Sequence, residues 1–283
     1  MQKFRLLVEF LRHKGIVNSS NLIRPGKARS DVLGLAHSAA YLERFISGAL
    51  SPKEIRRLGL PWSNELVTRT LISPNGTLLT AQLALKYGVA CHLAGGTHHA
   101  HYDFASGYCI LNDLAVASKT ILAQGKAKRI LIFDCDVHQG DGTAAILNNE
   151  PSITTCSIHC EKNFPARKQR SDIDVGVAEG LSDTAYLMVV KKTLDKAISE
   201  SDPDLILYDA GVDVYEHDPL GLLNISLSGL RARESLVLET ALSQGIPIAT
   251  VIGGGYDHDQ SALATRHAIV VEEAQRCWLE FAT

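Results

Sequence analysis

From residue 89 onward, short β-rich runs alternate with helical stretches, and each run is followed at once by polar or glycine-rich residues. The runs are 89–93, 130–133, 153–157, 205–208 and 248–252, and helical spacing marks 112–124, 183–199, 230–243 and 261–280. This alternation predicts an α/β fold, an open and mostly parallel sheet with helices on both faces. Before it, residues 1–14 (ended by Gly15), 31–47 and 76–87 (ended by Gly88) read as helices joined by loops. No repeat, low-complexity tract or linker interrupts the 283 residues, so one domain over 1–283 is expected.

The residues after the runs obey one rule. His98 and His99 follow the first, Asp134, Asp136 and His138 the second, Ser157 and His159 the third, Asp209 and Asp213 the fourth, and Gly253 to Tyr256 the fifth. In open parallel sheets the ligand crevice lies beyond the carboxyl ends of the strands. Reactive side chains are therefore delivered to one edge from several strands.

Composition excludes several functions. A net charge of −3, with basic residues clustered only briefly at 53–57 and 167–170, argues against a nucleic-acid surface. No apolar stretch approaches the ~18 residues of a membrane span. The charged, amphipathic first 14 residues are no signal peptide. None of the six cysteines forms a C-x-x-C pair, so buried thiols and a reducing, cytoplasmic setting are expected.

Asp134, Asp136 and His138 share one face of an extended segment. Burying them unpaired would be costly, and a cation resolves that cost. Asp136 and His138, with Asp213 as third ligand, form a donor set suited to catalytic zinc. Asp134 and Asp141 remain as carboxylates to orient two imidazoles, His98 and His99. His101, third in that run, reads as an incidental histidine of a surface turn. Tyr256 ends a glycine-rich strand terminus, where its hydroxyl can donate to an oxyanion.

Taken together, Gly95-Gly96-Thr97-His98-His99-Ala100, Ala105 to Asp113, Asp134 to Thr143, Ala210-Gly211-Val212-Asp213 with Asp218-Pro219, and Gly253 to Tyr256 resemble the histone deacetylase family of the arginase/deacetylase fold. The segments 60–62 and 161–170 are most similar to its class IV and bacterial members. The resemblance implies one catalytic Zn²⁺ on Asp136, His138 and Asp213. It pairs His98 with Asp134 and His99 with Asp141, and it makes Tyr256 the transition-state tyrosine. It puts Gly107, Tyr108, Phe164 and Leu220 along an acyl-lysine tunnel, with tyrosine at 108 where many relatives have phenylalanine. It adds a structural K⁺ near Asp134, Asp136, His138, Ser157 and Ile158, and places Cys109 and Arg5 near an internal pocket. Residue 1 lies almost at the first helix, where the family begins with a strand and a Pro-containing turn. The implied activity is hydrolysis of N-acyl-lysine in a protein or peptide. A small acylated amine is the rival substrate, with Glu216 and Asp218 as acids that would draw a polyamine. An inactive acyl-lysine-binding scaffold is a further rival, disfavoured by the intact set of reactive residues.

Overall fold

A computed structural model describes residues 2–281. Its helices are α1 (Gln2–His13), α2 (Ser30–Leu33), α3 (Ala39–Ile46), α4 (Pro52–Leu58), α5 (Asn64–Tyr87), α6 (Asp113–Ala123), α7 (Asp141–Leu147), α8 (Asp183–Ser201), α9 (Leu227–Ser243) and α10 (Gln260–Phe281). Its strands are β1 (Val89–His92), β2 (Ile130–Asp134), β3 (Ile153–Cys160), β4 (Ile173–Val177), β5 (Leu205–Asp209) and β6 (Ile248–Val251). They form one sheet in the order β1-β6-β5-β2-β3-β4, with every pairing parallel.

Side chains of successive strand residues point to opposite faces, and both faces are covered. Leu131, Phe133, Ile206 and Tyr208 join a core with α1, α8, α9 and α10. Ile130, Ile132, Leu205 and Leu207 join a second core with α3, α5 and α6. This two-sided burial explains why the central strands read as continuous apolar runs. From β2 the chain builds β3 and β4 on one side, then returns to place β5 and β6 on the other. The strand order reverses at β2 and β5, and a crevice opens at such a switch point.

Local structure departs from the sequence reading in four places. The helix expected over 31–47 is broken: Ser38 turns out of it, donating its N–H to Tyr102 O and capping α3 with its side chain. The stretch expected at 76–87 is the end of a helix that starts at Asn64, capped by Ser63, and runs through Pro74. The strand β4 was not anticipated, because Ile173–Val177 carries an aspartate and a glycine and is exposed at alternate positions on the sheet edge. The short helices α4 and α7 were too brief for periodicity to show. No helix among the described residues is long and apolar enough to cross a membrane.

Candidate active site

The loops after β2 and β5 bring Asp136, His138 and Asp213 together, each offering one donor atom within 4.8 Å of the others. His138 Nδ1 lies 3.0 Å from Asp136 Oδ1 and 3.2 Å from Asp213 Oδ2. Backbone N–H groups fix the carboxylates: Val137 N donates to Asp213 Oδ1, and Gly254 N donates to Asp136 Oδ2. A Cβ at Gly254 would collide with both carboxylates, so only glycine fits there. Burial, then repulsion from Asp136, pushes Asp213 up to about 7. Two buried carboxylates converging on one imidazole make a divalent-cation site by the chemistry of their donors.

His98 and His99 follow β1 and lie beside this cluster. His98 Nδ1 is 2.7 Å from Asp134 Oδ2, and its Nε2 is 3.8 Å from Asp136 Oδ1. His99 Nδ1 is 2.6 Å from Asp141 Oδ1. The carboxylates can only accept, so each imidazole donates through Nδ1 and presents Nε2. The two rings respond differently to burial. Burial, helped by the His98 charge, pushes His99 down to about 4. For His98, burial also opposes the charge, but Asp134 and Asp136 outweigh it and hold its pKa well above the usual value. The neighbouring charges thus set the two imidazoles apart in basicity.

His98, His99, Asp136, His138, Asp213 and Tyr256 all line one cavity of about 980 Å³. Tyr256 is aimed by Asp218, whose Oδ2 accepts from Tyr256 N at 2.7 Å. Burial, with the Asp213 and Asp136 charges, raises its pKa and keeps the phenol a donor. Asp218 is buried and also accepts from the N–H groups of Leu220 and Gly221. It is therefore not the mouth acid envisaged from sequence, whereas Glu216 is exposed. Gly107 packs its backbone on His99, and the Phe164 ring meets His99 edge-on at 4.8 Å. Tyr108 adopts a left-handed φ of 64° and sets its ring 6.1 Å from that of Tyr256. Leu220 is exposed, and its neighbour Pro219 lines the cavity. Cys109 also lines it. Arg5 does not: it is exposed on α1 and paired with Glu9, while Lys3, two residues earlier and so on nearly the opposite face of α1, reaches Gly255 O at 3.4 Å and lines the cavity. Asp134 and Ser157 border a separate void of about 10 Å³. The cysteines among the described residues are free, and all but Cys91 are buried.

Three contributors, Asp113, Arg233 and His101, were given no role from the sequence, and Asp209 was read only as a polar residue after the fourth run. Asp113 accepts from the N–H groups of Gly96 and Thr97 and anchors the loop that carries both histidines. Arg233, fully buried, donates to the carbonyls of Cys135 and Gly211 and so ties the two ligand loops together. Asp209 is fully buried with neither carboxylate oxygen hydrogen-bonded. His101, dismissed as incidental, lies 3.2 Å from Asp141 Oδ2. Asp113, Arg233 and His101 each act through a contact distant in sequence, which no local pattern signals.

Residues 1–271 match the profile of the histone deacetylase domain. The chain belongs to the histone deacetylase family. An uncharacterised protein of Picosynechococcus sp. is 49% identical over 275 residues, covering 97% of this chain and 92% of its own. Histone deacetylase 2 of Arabidopsis thaliana is 28% identical over 264 residues, covering 90% of this chain and 68% of its own. The crystal structure of a histone deacetylase homologue from Aquifex aeolicus superposes with a TM-score of 0.81 at 23% identity, over 97% of this chain and 81% of that one. The sheet and its surrounding helices are the arginase/deacetylase fold. Within this family the chain is a hydrolase whose reactive side chains, like those just described, stand at the carboxyl edge of the sheet.

Proposed function

We propose that the chain is a zinc-dependent amidohydrolase that removes an acetyl or longer acyl group from N-acyl-lysine in a protein or peptide. The observation that carries this reading is the shared cavity in which Asp136, His138 and Asp213 face two His–Asp pairs and a tyrosine. A zinc ion held by those three residues would supply a Lewis acid for the amide carbonyl and lower the pKa of a water. His99, neutral and oriented by Asp141, takes the proton of the attacking water through Nε2. One or both imidazoles, with His98 oriented by Asp134, return a proton to the departing amine. Tyr256 donates its hydroxyl to the oxyanion of the tetrahedral intermediate. Gly107 and Tyr108, which line the cavity, and Phe164, whose ring meets His99, are read as the walls that the aliphatic lysine chain would follow, with Leu220 beside the lining residue Pro219. A monovalent structural K⁺ is read at Asp134, Asp136, His138, Ser157 and Ile158, of which Asp134 and Ser157 border the small void beside β2.

The whole chain, 1–283, is read as one catalytic domain acting in the cytoplasm, a reading supported by the continuous sheet and the free thiols. Burial of Asp218 removes one of the two acids that had favoured a polyamine substrate. The test is turnover by the zinc-loaded protein on acetyl-lysine peptides, longer acyl-lysine peptides and acetylpolyamines. Hydrolysis of the peptides supports the reading. Turnover of small amines alone rejects the protein-substrate part, and no amide hydrolysis at all rejects the activity.

A further inference from the structure

The carboxylate of Asp141 has two oxygens, and two different imidazoles occupy them. His99 Nδ1 holds Oδ1 at 2.6 Å, and His101 Nε2 holds Oδ2 at 3.2 Å. A carboxylate with one donor can still swing about its side-chain torsion. A carboxylate gripped at both oxygens cannot, and its position then fixes the ring of His99. We propose that His101 is a positioning residue for the His99–Asp141 pair, a role that rests on the reading of His99 as the general base.

His101 is itself held from several sides. Its ring stacks on Phe104 with centroids 4.2 Å apart and planes 17° from parallel. The Arg57 guanidinium lies over the same Phe104 ring at 4.4 Å. Its backbone is pinned as well. His101 N donates to Phe104 O, and His37 Nδ1 lies 3.0 Å from His101 O. The His37 tautomer follows from its other nitrogen: Nε2 accepts from Asn112 N, so Nδ1 carries the proton and donates to that carbonyl. Asn112 in turn donates from its side chain to the carbonyls of His98 and Ala100. The turn after His99 is therefore built to hold His101 in one place, with its side chain only 12% exposed. An incidental surface histidine needs neither the stack nor the double pinning.

The test compares three proteins on an acetyl-lysine peptide: wild type, His101→Phe, which keeps the stack and loses the N–H, and His101→Gln, which restores an N–H donor at similar reach. The His101→Phe variant is expected to lose about tenfold in kcat with KM within about twofold, the size usual for losing a group that orients a reacting side chain. His101→Gln is expected to recover most of that loss. Equal kcat in all three proteins overturns the proposal, as does an equal loss in both variants. If His101→Phe folds poorly, His101→Met against His101→Gln makes the same comparison at matched volume. A second readout is independent of turnover: the low-field proton resonance of His99 Nδ1–H, identified by its absence in His99→Ala. It should shift in the variants that lack a donor and return in His101→Gln. An unmoved resonance overturns the positioning role even if the enzyme proves inactive on every acyl-lysine, whereas a moved resonance without turnover rejects the activity and leaves the positioning role standing.

Discussion

Asp134 and Asp209 stand side by side at the carboxyl ends of β2 and β5, in register and on the same face of the sheet, yet only Asp134 has hydrogen-bond partners. Burial first, then the Asp134 charge, raises the pKa of Asp209 well above the usual value. A carboxyl raised in the folded state favours folding fully below its unfolded pKa and loses that contribution as pH rises through the folded one. Asp209→Asn removes the loss. Its stability relative to wild type should therefore grow from pH 5 to pH 8, reaching about 1 kcal/mol or more. Urea unfolding at the two pH values measures it. A variant less stable than wild type at pH 8 would contradict the account.

The two histidines should not be equivalent. His99→Ala is expected to abolish turnover more completely than His98→Ala. Asp141→Asn should lower the plateau of kcat/KM by roughly tenfold or more. The sign of its pH effect is fixed. A base works in its neutral form, so activity falls as pH drops towards the His99 pKa of about 4, which burial sets and Asp141 partly holds up. Without Asp141 the acid limb should move to lower pH. A limb that moved upward would reject the pairing.

Tyr256→Phe keeps the ring and deletes one donor. Loss of a single oxyanion donor costs roughly 10²–10³ in rate, so kcat should fall by that factor while bound metal stays constant. Single-turnover kinetics with elemental analysis check both quantities, and near-full turnover would remove the tyrosine from the mechanism.

One divalent ion per chain is expected. A second ion beside the first would need further carboxylates, and glycine stands at 140 and 211, each two residues from the ligands His138 and Asp213. Neither glycine has room to spare, since a Cβ at Gly140 meets Asp134 and His98, and one at Gly211 meets Asp136. Zinc titration of chelator-treated protein should restore activity at a single equivalent. Full activity only at two equivalents would refute this.

Arg233→Met should destabilise the fold by roughly 3–5 kcal/mol, because it removes the cation beside the buried Glu234 and leaves it only the Tyr208 hydroxyl. It should also weaken metal affinity, since the carbonyls of Cys135 and Gly211 lose their shared donor. Adding Glu234→Gln should recover part of the stability but none of the affinity. Recovery of both would place Arg233 outside the site.

The sheet was legible from sequence because its central strands are buried on both faces and stand out as apolar runs with reactive residues at their ends. The convergence of Asp136, His138 and Asp213 was legible because a whole cluster of polar groups at such strand ends is costly to bury without a shared partner, although any one of them alone has a bland explanation. Strand β4 was not, because an edge strand exposed at alternate residues has the composition of a loop. The first half of α5 was hidden by Pro74, which locally argues against a helix but is tolerated here within a long, well-packed one. Asp113, Arg233 and His101 have no local signature at all. Their importance lies in which backbone or carboxylate they reach, and only the folded chain defines that.

Strands β1 and β2 are consecutive in sequence but are kept apart in the sheet by β6 and β5, which are made after β4. A nascent chain that has emerged only through β4 possesses both histidine pairs and two of the three ligands, but the middle of its sheet is missing. Asp213 and Tyr256 arrive with the strands that fill that gap. The site is thus incomplete until β6 has been made. Any prematurely terminated product that lacks β6 should be inert however well its earlier segments have condensed.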